Sequence, residues 1–584
     1  MNHLNTDILV VGTGTGGTAA AIQAARRGAN TILIGDTPWL GGMLTSAGVS
    51  APDGNELAFL QTGLWGAFLR QLQQNTKLDN AWVSFFTYNP PTGHQTFLDW
   101  LNQLPNLQWI AGQTPQEILK QNNRITGIRF ENLTIYAKII IDATELGDIL
   151  ALAETPHRWG WELQSELNEP SAPKSRNTWT ERYPVQAPTW VVILQDYGQD
   201  IAPEIPPPPT YNPNLFTAAW DNYGPEMFLN YGRLPENRFM INWPIHGNDY
   251  GEGINRLIQS TTAKNEFLQE SLWHSQSFAH FIQTQLGRRY GLAENIFPLK
   301  NSHSPFPLST GAFAIHPYYR ESRRVKGLTT IREQDILPIP QGRVASLPVD
   351  ETGQPTSIAI GNYPNDHHYP CGDWPVKPKS IRWGGRWTGT PFCIPYGSLI
   401  PTEIDGLLVC EKNISVSHIA NGATRLQPVV LNIGQAAGMA AALCVEKNCQ
   451  PRELSVRILQ EALLQDPTAP AAIIPLYNLT PDHPDWLYWQ RYYLDHPDVY
   501  SSNGSCPVSF LASQTKTNHS FSGIFFCHGE QDYSISFLEQ NWSLVTLHPD
   551  VNEKLQVLKN GQLLTVRGRL NLAGRWLLVD SIDF

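Results

Sequence analysis

Cysteine is scarce and scattered: seven in 584 residues, at Cys371, Cys393, Cys410, Cys444, Cys449, Cys506 and Cys527. This usage argues against a disulfide framework and fits a reducing compartment. The tightest pair, Cys444 and Cys449, reads either as a redox dithiol or as ordinary residues ending a packed helix, and no second nucleotide-binding glycine motif exists to feed it electrons. Long apolar runs are also missing. No stretch approaches the roughly 18 consecutive apolar residues of a membrane span, and the first apolar strand begins at Asp7, leaving no room ahead of it for a leader. The expectation is a soluble, cytoplasmic chain with no membrane partner. Nor is there a basic block: net charge is -11, so nucleic acid is not an expected partner. No metal site is expected. What the chain does have is a 41% hydrophobic fraction and 19 tryptophans, enough for large cores, and a length that suits two to four domains.

The N-terminus carries the clearest motif. Asp7-Ile-Leu-Val-Val runs into Gly12-Thr13-Gly14-Thr15-Gly16-Gly17, an alanine-rich helix over Thr18 to Arg27, Gly28, a second apolar strand Thr31 to Ile34, and Gly41-Gly42. This is the layout of a βαβ unit that holds a dinucleotide pyrophosphate. Gly12 permits the tight turn, Gly14 lets the backbone approach the phosphates and Gly17 lets the helix pack on the strand. The helix N-terminus aims N–H donors at the anion.

Further along, Leu57 to Gln74 has helical spacing, and Trp109 to Ala143 reads as a β-meander over Gln108–Gly112, Gln116–Lys120, Arg124–Glu131 and Thr134–Ala143. The last of these is apolar enough for a buried parallel strand, with its C-terminal end where ligands bind. Residues 155 to 375 are rich in proline and aromatics, with one helix expected from Gly253 to Leu286. Gly406 to Cys410 reads as a buried strand, and Pro428 to Val445 as a helix full of small residues with Pro428 in its first turn. From Ser501 the chain alternates like strands: Val508–Ala512, Ser520–Cys527, Tyr533–Leu538, Leu544–Leu547, Lys554–Leu558, Leu563–Leu572 and Arg575–Ile582. This predicts a small barrel or sandwich, of OB type in one reading, with a stabilising or assembly role. The fold class is therefore α/β: a Rossmann-type domain from residues 1–150 and 390–445, an inserted α+β substrate or cap domain at 151–389, a wrapping segment at 446–500 and a β domain at 501–584.

Several segments together resemble the FAD-dependent oxidoreductase family of the glutathione-reductase-like flavoproteins. They are Asp7 to Gly17, Pro38 to Thr45, Ile141 to Asp148, Arg320 to Gly327, Gly361 to His368, Ile394 to Pro401 and Arg425 to Gly438. The resemblance implies non-covalent FAD. By it, the stretch Gly12, Thr13, Gly14, Thr15, Gly16 and Gly17 holds the pyrophosphate, and Gly41, Gly42 and Met43 pass near the ribityl chain and flavin. Thr114 and Pro115 line the adenine, Ala143 and Thr144 sit over the adenosine half, and Arg425, Leu426, Gln427 and Pro428 face the flavin pyrimidine ring, where a helix N-terminus and a cation suit the charge that develops on reduction. Two positions depart from the family pattern. Gly35 stands where an acid usually closes the second strand, with Asp36 one residue later, so either Asp36 or a backbone or water contact serves the ribose. Cys410-Glu411-Lys412 stands where many relatives carry a glycine before a polar residue.

The implied activity moves a hydride from a small organic substrate, an alcohol, amine or sugar-like molecule, to flavin N5. A base must take the accompanying proton, and histidine is the usual one near neutrality. His368, beside Asp366, leads; His418 and His316 follow. Arg323, with Arg320 and Arg324, serves either as a substrate carboxylate clamp or in structural ion pairs. The basic, aromatic stretch Trp374 to Trp387 fits an aromatic, sugar-like or anionic substrate, or an exposed loop with no ligand. A flavin monooxygenase or halogenase is one alternative. A binding or assembly protein stabilised by FAD is another, and a homo-oligomer formed through the C-terminal β domain is an expected partner arrangement.

Overall fold

Ile8 to Val11 and Ile139 to Ile141 are fully apolar and buried, which is the signature of strands covered on both faces. In the computed structural model, which describes residues 2–75, 81–299, 311–377, 380–508 and 519–583, they pair in parallel. Ile8 faces Ile139, and Val11 faces Asp142. On the other side, Val11 faces Ile34 of the strand Thr31–Gly35, and Ile34 faces Ile110 of Leu107–Ala111. The strand Leu133–Asp142 shares its far edge between two partners. Its first half pairs antiparallel with Arg124–Arg129, and its last residues pair in parallel with Leu407–Val409. A strand from far along the chain thereby completes a Rossmann-like sheet.

The expected four-stranded meander is corrected to three strands, Glu117–Gln121, Arg124–Arg129 and Leu133–Asp142; Leu107–Ala111 instead extends the parallel sheet. The helix Thr15–Arg26 lies against Gln427–Lys447, whose small residues permit backbone contact: a Cβ on Gly438 would meet Ala20 O at 2.2 Å. Gln427–Lys447 is the one helix among the described residues long and apolar enough by composition to cross a membrane, and it is buried inside the protein.

The inserted region builds a four-stranded antiparallel sheet in the order Tyr290–Leu292, Val192–Asp196, Arg238–Ile241, Arg233–Leu234. The helix expected over Gly253–Leu286 is two elements, a 3-10 turn at Ile254–Ile258 and a helix at Thr261–Leu286. The break is local, because the Ser260 hydroxyl accepts from the Ala263 N–H and caps the longer helix. The chain over 380–389 forms a hairpin, Ser380–Trp383 with Arg386–Gly389.

Near the C-terminus, five strands close a barrel in the order Ser520–Gly529, Asp532–Phe537, Gln540–Val545, Trp576–Asp583, Leu563–Asn571. The third and the last in sequence pair in parallel. The strand expected at Lys554–Leu558 is instead part of the helix Pro549–Val557, which buries Val551 and Leu555 in the barrel core. Of the strand expected at Val508–Ala512, all but Val508 lies outside the described residues.

Candidate active site

The parallel strands end together at Val11, Gly35 and Asp142, and a cavity of about 760 Å³ opens over those ends. Gly12 makes the turn with φ +112°, and a Cβ there would meet Ala143 O at 2.0 Å. Its N–H donates to Ile34 O at 2.7 Å. The Thr13 and Thr37 hydroxyls meet at 2.7 Å, joining the two strand ends. Across the sheet, buried Asp142 accepts from the Thr144 N–H at 2.9 Å and hydroxyl at 2.7 Å, which fixes the Ala143-Thr144 turn. Burial pushes the Asp142 carboxyl up to about 7, against those hydrogen bonds.

The expected cofactor residues fall into two groups. Gly12, Thr13, Gly14, Gly35, Asp36, Thr114, Pro115, Ala143 and Thr144 line the cavity. Asp36 is exposed there, one residue beyond the strand end, free to reach into the cavity. The others stand behind this lining and support it. Thr15 donates its hydroxyl to Gly41 O at 2.9 Å, and the Gly41 N–H donates to Thr13 O at 3.1 Å, so the Gly41-Gly42 turn is laced to the helix start. Gly16, Gly17, Gly42 and Met43 are buried. The Gly16 N–H donates to Glu411 Oε1 at 2.6 Å. Thus the acid that departs from the family pattern supplies an internal carboxylate to the nucleotide helix. Lys412 Nζ lies 3.0 Å from Glu411 and 2.7 Å from Glu145. Burial and Glu145 push the Glu411 carboxyl up against the pull of Lys412.

Leu426 caps the helix Gln427–Lys447, with Pro428 in its first turn. Gln427 Oε1 is buried with no hydrogen-bond partner among the described residues. The Arg425 side chain is turned to the Tyr318 hydroxyl at 2.8 Å and the Asp366 carboxylate at 3.2 Å. Val430 of that helix shares an apolar cluster with Met43, Ala47 and Trp190, and Trp190 lines the far end of the cavity with His316 and Tyr319.

The three histidines are therefore placed very differently. His368 donates from both nitrogens, Nδ1 to Asp249 at 2.8 Å and Nε2 to Asp366 at 2.7 Å. Burial and Arg320 push its pKa down, but the two carboxylates outweigh them and hold it above 6.5. A clamped imidazolium has no lone pair with which to act as a base. His418 is fully buried between Glu321 at 3.0 Å and the Tyr369 hydroxyl at 2.8 Å. His316 alone of the three lines the cavity. Its Nδ1 lies 2.9 Å from Pro317 O, and its Nε2 lies 2.9 Å from the Ser46 hydroxyl. Arg323 donates to Leu146 O at 2.8 Å and pairs with Asp148 at 3.2 Å, while Arg320 pairs with Asp249 and Arg324 with Glu162 and Glu321. All three arginines are held in ion pairs within the chain, and the Asp148 partner of Arg323 lines the cavity.

Cavity residues not anticipated from sequence include Thr37, Pro38, Gly112, Gln113, Glu145, Trp190 and Lys264. Gly112 and Gln113 follow directly on the parallel strand Leu107–Ala111, so reading that strand as parallel would have placed them at the binding end of the sheet.

These features fit FAD. A glycine cradle no side chain can enter, an acid at a strand end and buried Gln113 Oε1 without a partner among the described residues are the elements a dinucleotide requires. The profile of the FAD dependent oxidoreductase family matches residues 7–463, and the chain belongs to that family. Its family makes it a flavoprotein oxidoreductase with FAD as its cofactor. Over 56 residues it is 45% identical to sarcosine oxidase subunit alpha of Corynebacterium sp. (strain U-96), a stretch covering 10% of this chain and 6% of that protein. Among solved structures, a geranylgeranyl bacteriochlorophyll reductase-like protein from Thermoplasma acidophilum is similar over 80% of this chain and 84% of its own, at 10% identity and a TM-score of 0.32. A flavin-dependent brominase is similar over 34% and 48%, at 10% identity and a TM-score of 0.23.

Proposed function

We propose that this enzyme oxidises a small organic substrate, an alcohol, amine or sugar-like molecule, with His316 as the base. Bound FAD supplies the acceptor for the hydride of the substrate C–H. In this reading FAD is held without a covalent link: Gly12, Thr13 and Gly14 face its pyrophosphate with Thr15, Gly16 and Gly17 supporting them from behind, Asp36 faces its ribose, Thr114 and Pro115 its adenine, and the helix start at Gln427 and Pro428 lies on the side of its pyrimidine ring. Residues 1–150 and 390–445 then make the cofactor domain and 151–389 the cap.

The chain's own part is proton transfer. A carbonyl only accepts, so His316 Nδ1 carries the hydrogen toward Pro317 O, and the neutral ring keeps its lone pair on Nε2, facing Ser46. With the Ser46 hydroxyl turned to Gly42 O, 3.2 Å away, Nε2 can then take a proton from a substrate hydroxyl or amine in the cavity. The observation that carries the reading is that His316 lines the same cavity as the Gly12 cradle, whereas His368 and His418 are held by internal partners.

The test is an anaerobic screen of alcohols, amino acids and sugars for loss of flavin colour, repeated with His316→Asn. The expected result is reduction slowed by about 10²–10⁴-fold at unchanged FAD content. Reduction at the wild-type rate removes His316 as the base. Failure of every substrate to bleach the wild type would instead favour an assembly protein that holds FAD for structure.

A further inference from the structure

A second cavity, of about 410 Å³, shares no lining residue with the first and lies where the C-terminal barrel meets the body. Its walls come from three parts of the chain: Asp53, Glu56, Trp82 and Tyr363 from the body, Arg382, Arg386 and Trp387 from the hairpin over 380–389, and Ser543, Val545 and Trp576 from the barrel. The hairpin is tied to the barrel on both sides. The Gly384 N–H donates to Gln531 Oε1 at 2.7 Å, the Thr546 N–H donates to Gly384 O at 2.8 Å, and Arg382 pairs with Asp532 at 2.7 Å. Arg386 is stacked between Phe85 of the body and Trp576 of the barrel, at 4.6 and 5.2 Å from the ring centres. This is a built wall, not a loose surface.

Its polar atoms are incompletely matched. Glu56 is 7% exposed, and its Oε1 has no hydrogen-bond partner among the described residues; the nearest cation, Arg386 Nη2, stands 3.5 Å away without hydrogen-bond geometry. Arg386 Nη1 likewise lacks an acceptor among the described residues. Asp53 accepts from the Tyr363 hydroxyl at 3.0 Å. A buried acceptor, Glu56 Oε1, and a buried donor, Arg386 Nη1, thus stand in one chamber lined by tryptophan, with half-buried Asp53 beside them. Such groups cost free energy unless water or a ligand pairs with them, and a ligand that displaces that water must donate and accept from the same small groups, which is what hydroxyls do. Three indoles, Trp82, Trp387 and Trp576, line it, one face of Trp82 stacked on Tyr223 and one face of Trp576 under Arg386; an indole face is what the C–H faces of a sugar ring pack against. Trp387 is 61% exposed, with Arg382 over its ring at 5.8 Å.

We propose that this body–barrel cavity is a binding site for a carbohydrate, a pyranose or disaccharide, whose hydroxyls pair with Glu56, Asp53 and Arg386 and whose ring stacks on the tryptophans. Burial pushes Glu56 up to about 7 and Asp53 up to about 6, with Arg386 opposing the rise at both. Near neutrality a sugar hydroxyl therefore meets a carboxyl in either form, each able to hydrogen-bond it. The basic and aromatic residues Arg382, Arg386 and Trp387 thereby acquire a ligand that the flavin cavity does not require.

The experiment uses the full-length FAD-loaded enzyme. Glucose, galactose, mannose, N-acetylglucosamine, cellobiose and maltose are titrated while tryptophan fluorescence and saturation-transfer NMR are recorded, without turnover. At least one sugar is expected to quench fluorescence and show transfer to its C–H protons. Trp387→Ala and Glu56→Gln should each weaken it about tenfold, with FAD content and the flavin spectrum unchanged. Binding by none of the six sugars overturns the proposal, as does binding indifferent to both variants. Choline binding in a Trp387-dependent way while the sugars do not would overturn it in favour of a cation site. None of these readouts depends on flavin reduction, so their outcome is separate from the fate of the His316 assignment.

Discussion

Gly12 has no room for a side chain. With φ +112° and Ala143 O at 2.0 Å from a Cβ, Gly12→Ala should cost about 1–3 kcal/mol in backbone strain alone, and more through the clash. The purified variant should carry little flavin, measured by absorbance of the released cofactor, and melt at a lower temperature. The acid cluster around His368 makes a different demand. Its pKa is held above 6.5, so its charged form favours the folded state: that contribution is complete below pH 6.5 and is lost as pH rises through the raised value. Asp249 and Asp366 are held below 3.8, because His368, Arg320 and, at Asp366, Arg425 outweigh burial; their contribution is complete above pH 3.8 and is lost as pH falls. Removing His368 leaves buried Asp249 to Arg320 and half-exposed Asp366 to Arg425. His368→Asn should therefore lower stability by about 1–3 kcal/mol near pH 6, and the gap to wild type should close as pH rises, which denaturant melts across pH will show. The Gly12 requirement was legible in sequence because it is local: the turn needs positive φ and close approach whatever the rest of the chain does. The choice among histidines was not. Asp366 beside His368 suggested an oriented base, but the second carboxylate, Asp249, comes from 119 residues away and turns the base into a fixed cation.

Among elements, the contact of Thr15–Arg26 with Gln427–Lys447 depends on absent side chains. Gly438→Val would press a branched side chain onto Ala20 O, 2.2 Å from the Cβ position, and should cost at least about 1–3 kcal/mol, measurable as a drop in the thermal midpoint by circular dichroism. The small-residue run announced this helix correctly. Strand identity was harder. Leu107–Ala111 and the true meander strands look alike in sequence, because period-two alternation does not say which neighbour a strand will choose. The helix Pro549–Val557 was misread through its short apolar spacing, although its start carried the right signals: proline in the first turn followed by Asp550 at the positive end of the dipole. The break at Ser260 is a case of the same kind. Its capping hydroxyl interrupts what hydrophobic spacing alone reads as continuous.

For the whole molecule, one side chain that helps join the barrel to the body is Arg386. Arg386 touches Phe85, Trp576 and Glu56, so Arg386→Ala should loosen the barrel by about 1–3 kcal/mol. Amide hydrogen exchange over 520–583 should then quicken while that of the parallel sheet does not. The sheet carries a further consequence. Its edge strand at Leu407–Val409 and the helix at Gln427–Lys447 must reach a framework whose first strand ends at Val11. At ribosomal rates of roughly 5–20 residues per second, that closure waits on the order of tens of seconds after the first strand has emerged. Until then the apolar edge beyond Ile139–Ile141 stands open, and the nucleotide helix lacks the Glu411 carboxylate at its start. Loading of the cofactor is therefore a late event in the life of each new chain, and the interval before it is when the nascent protein most needs shelter from its neighbours.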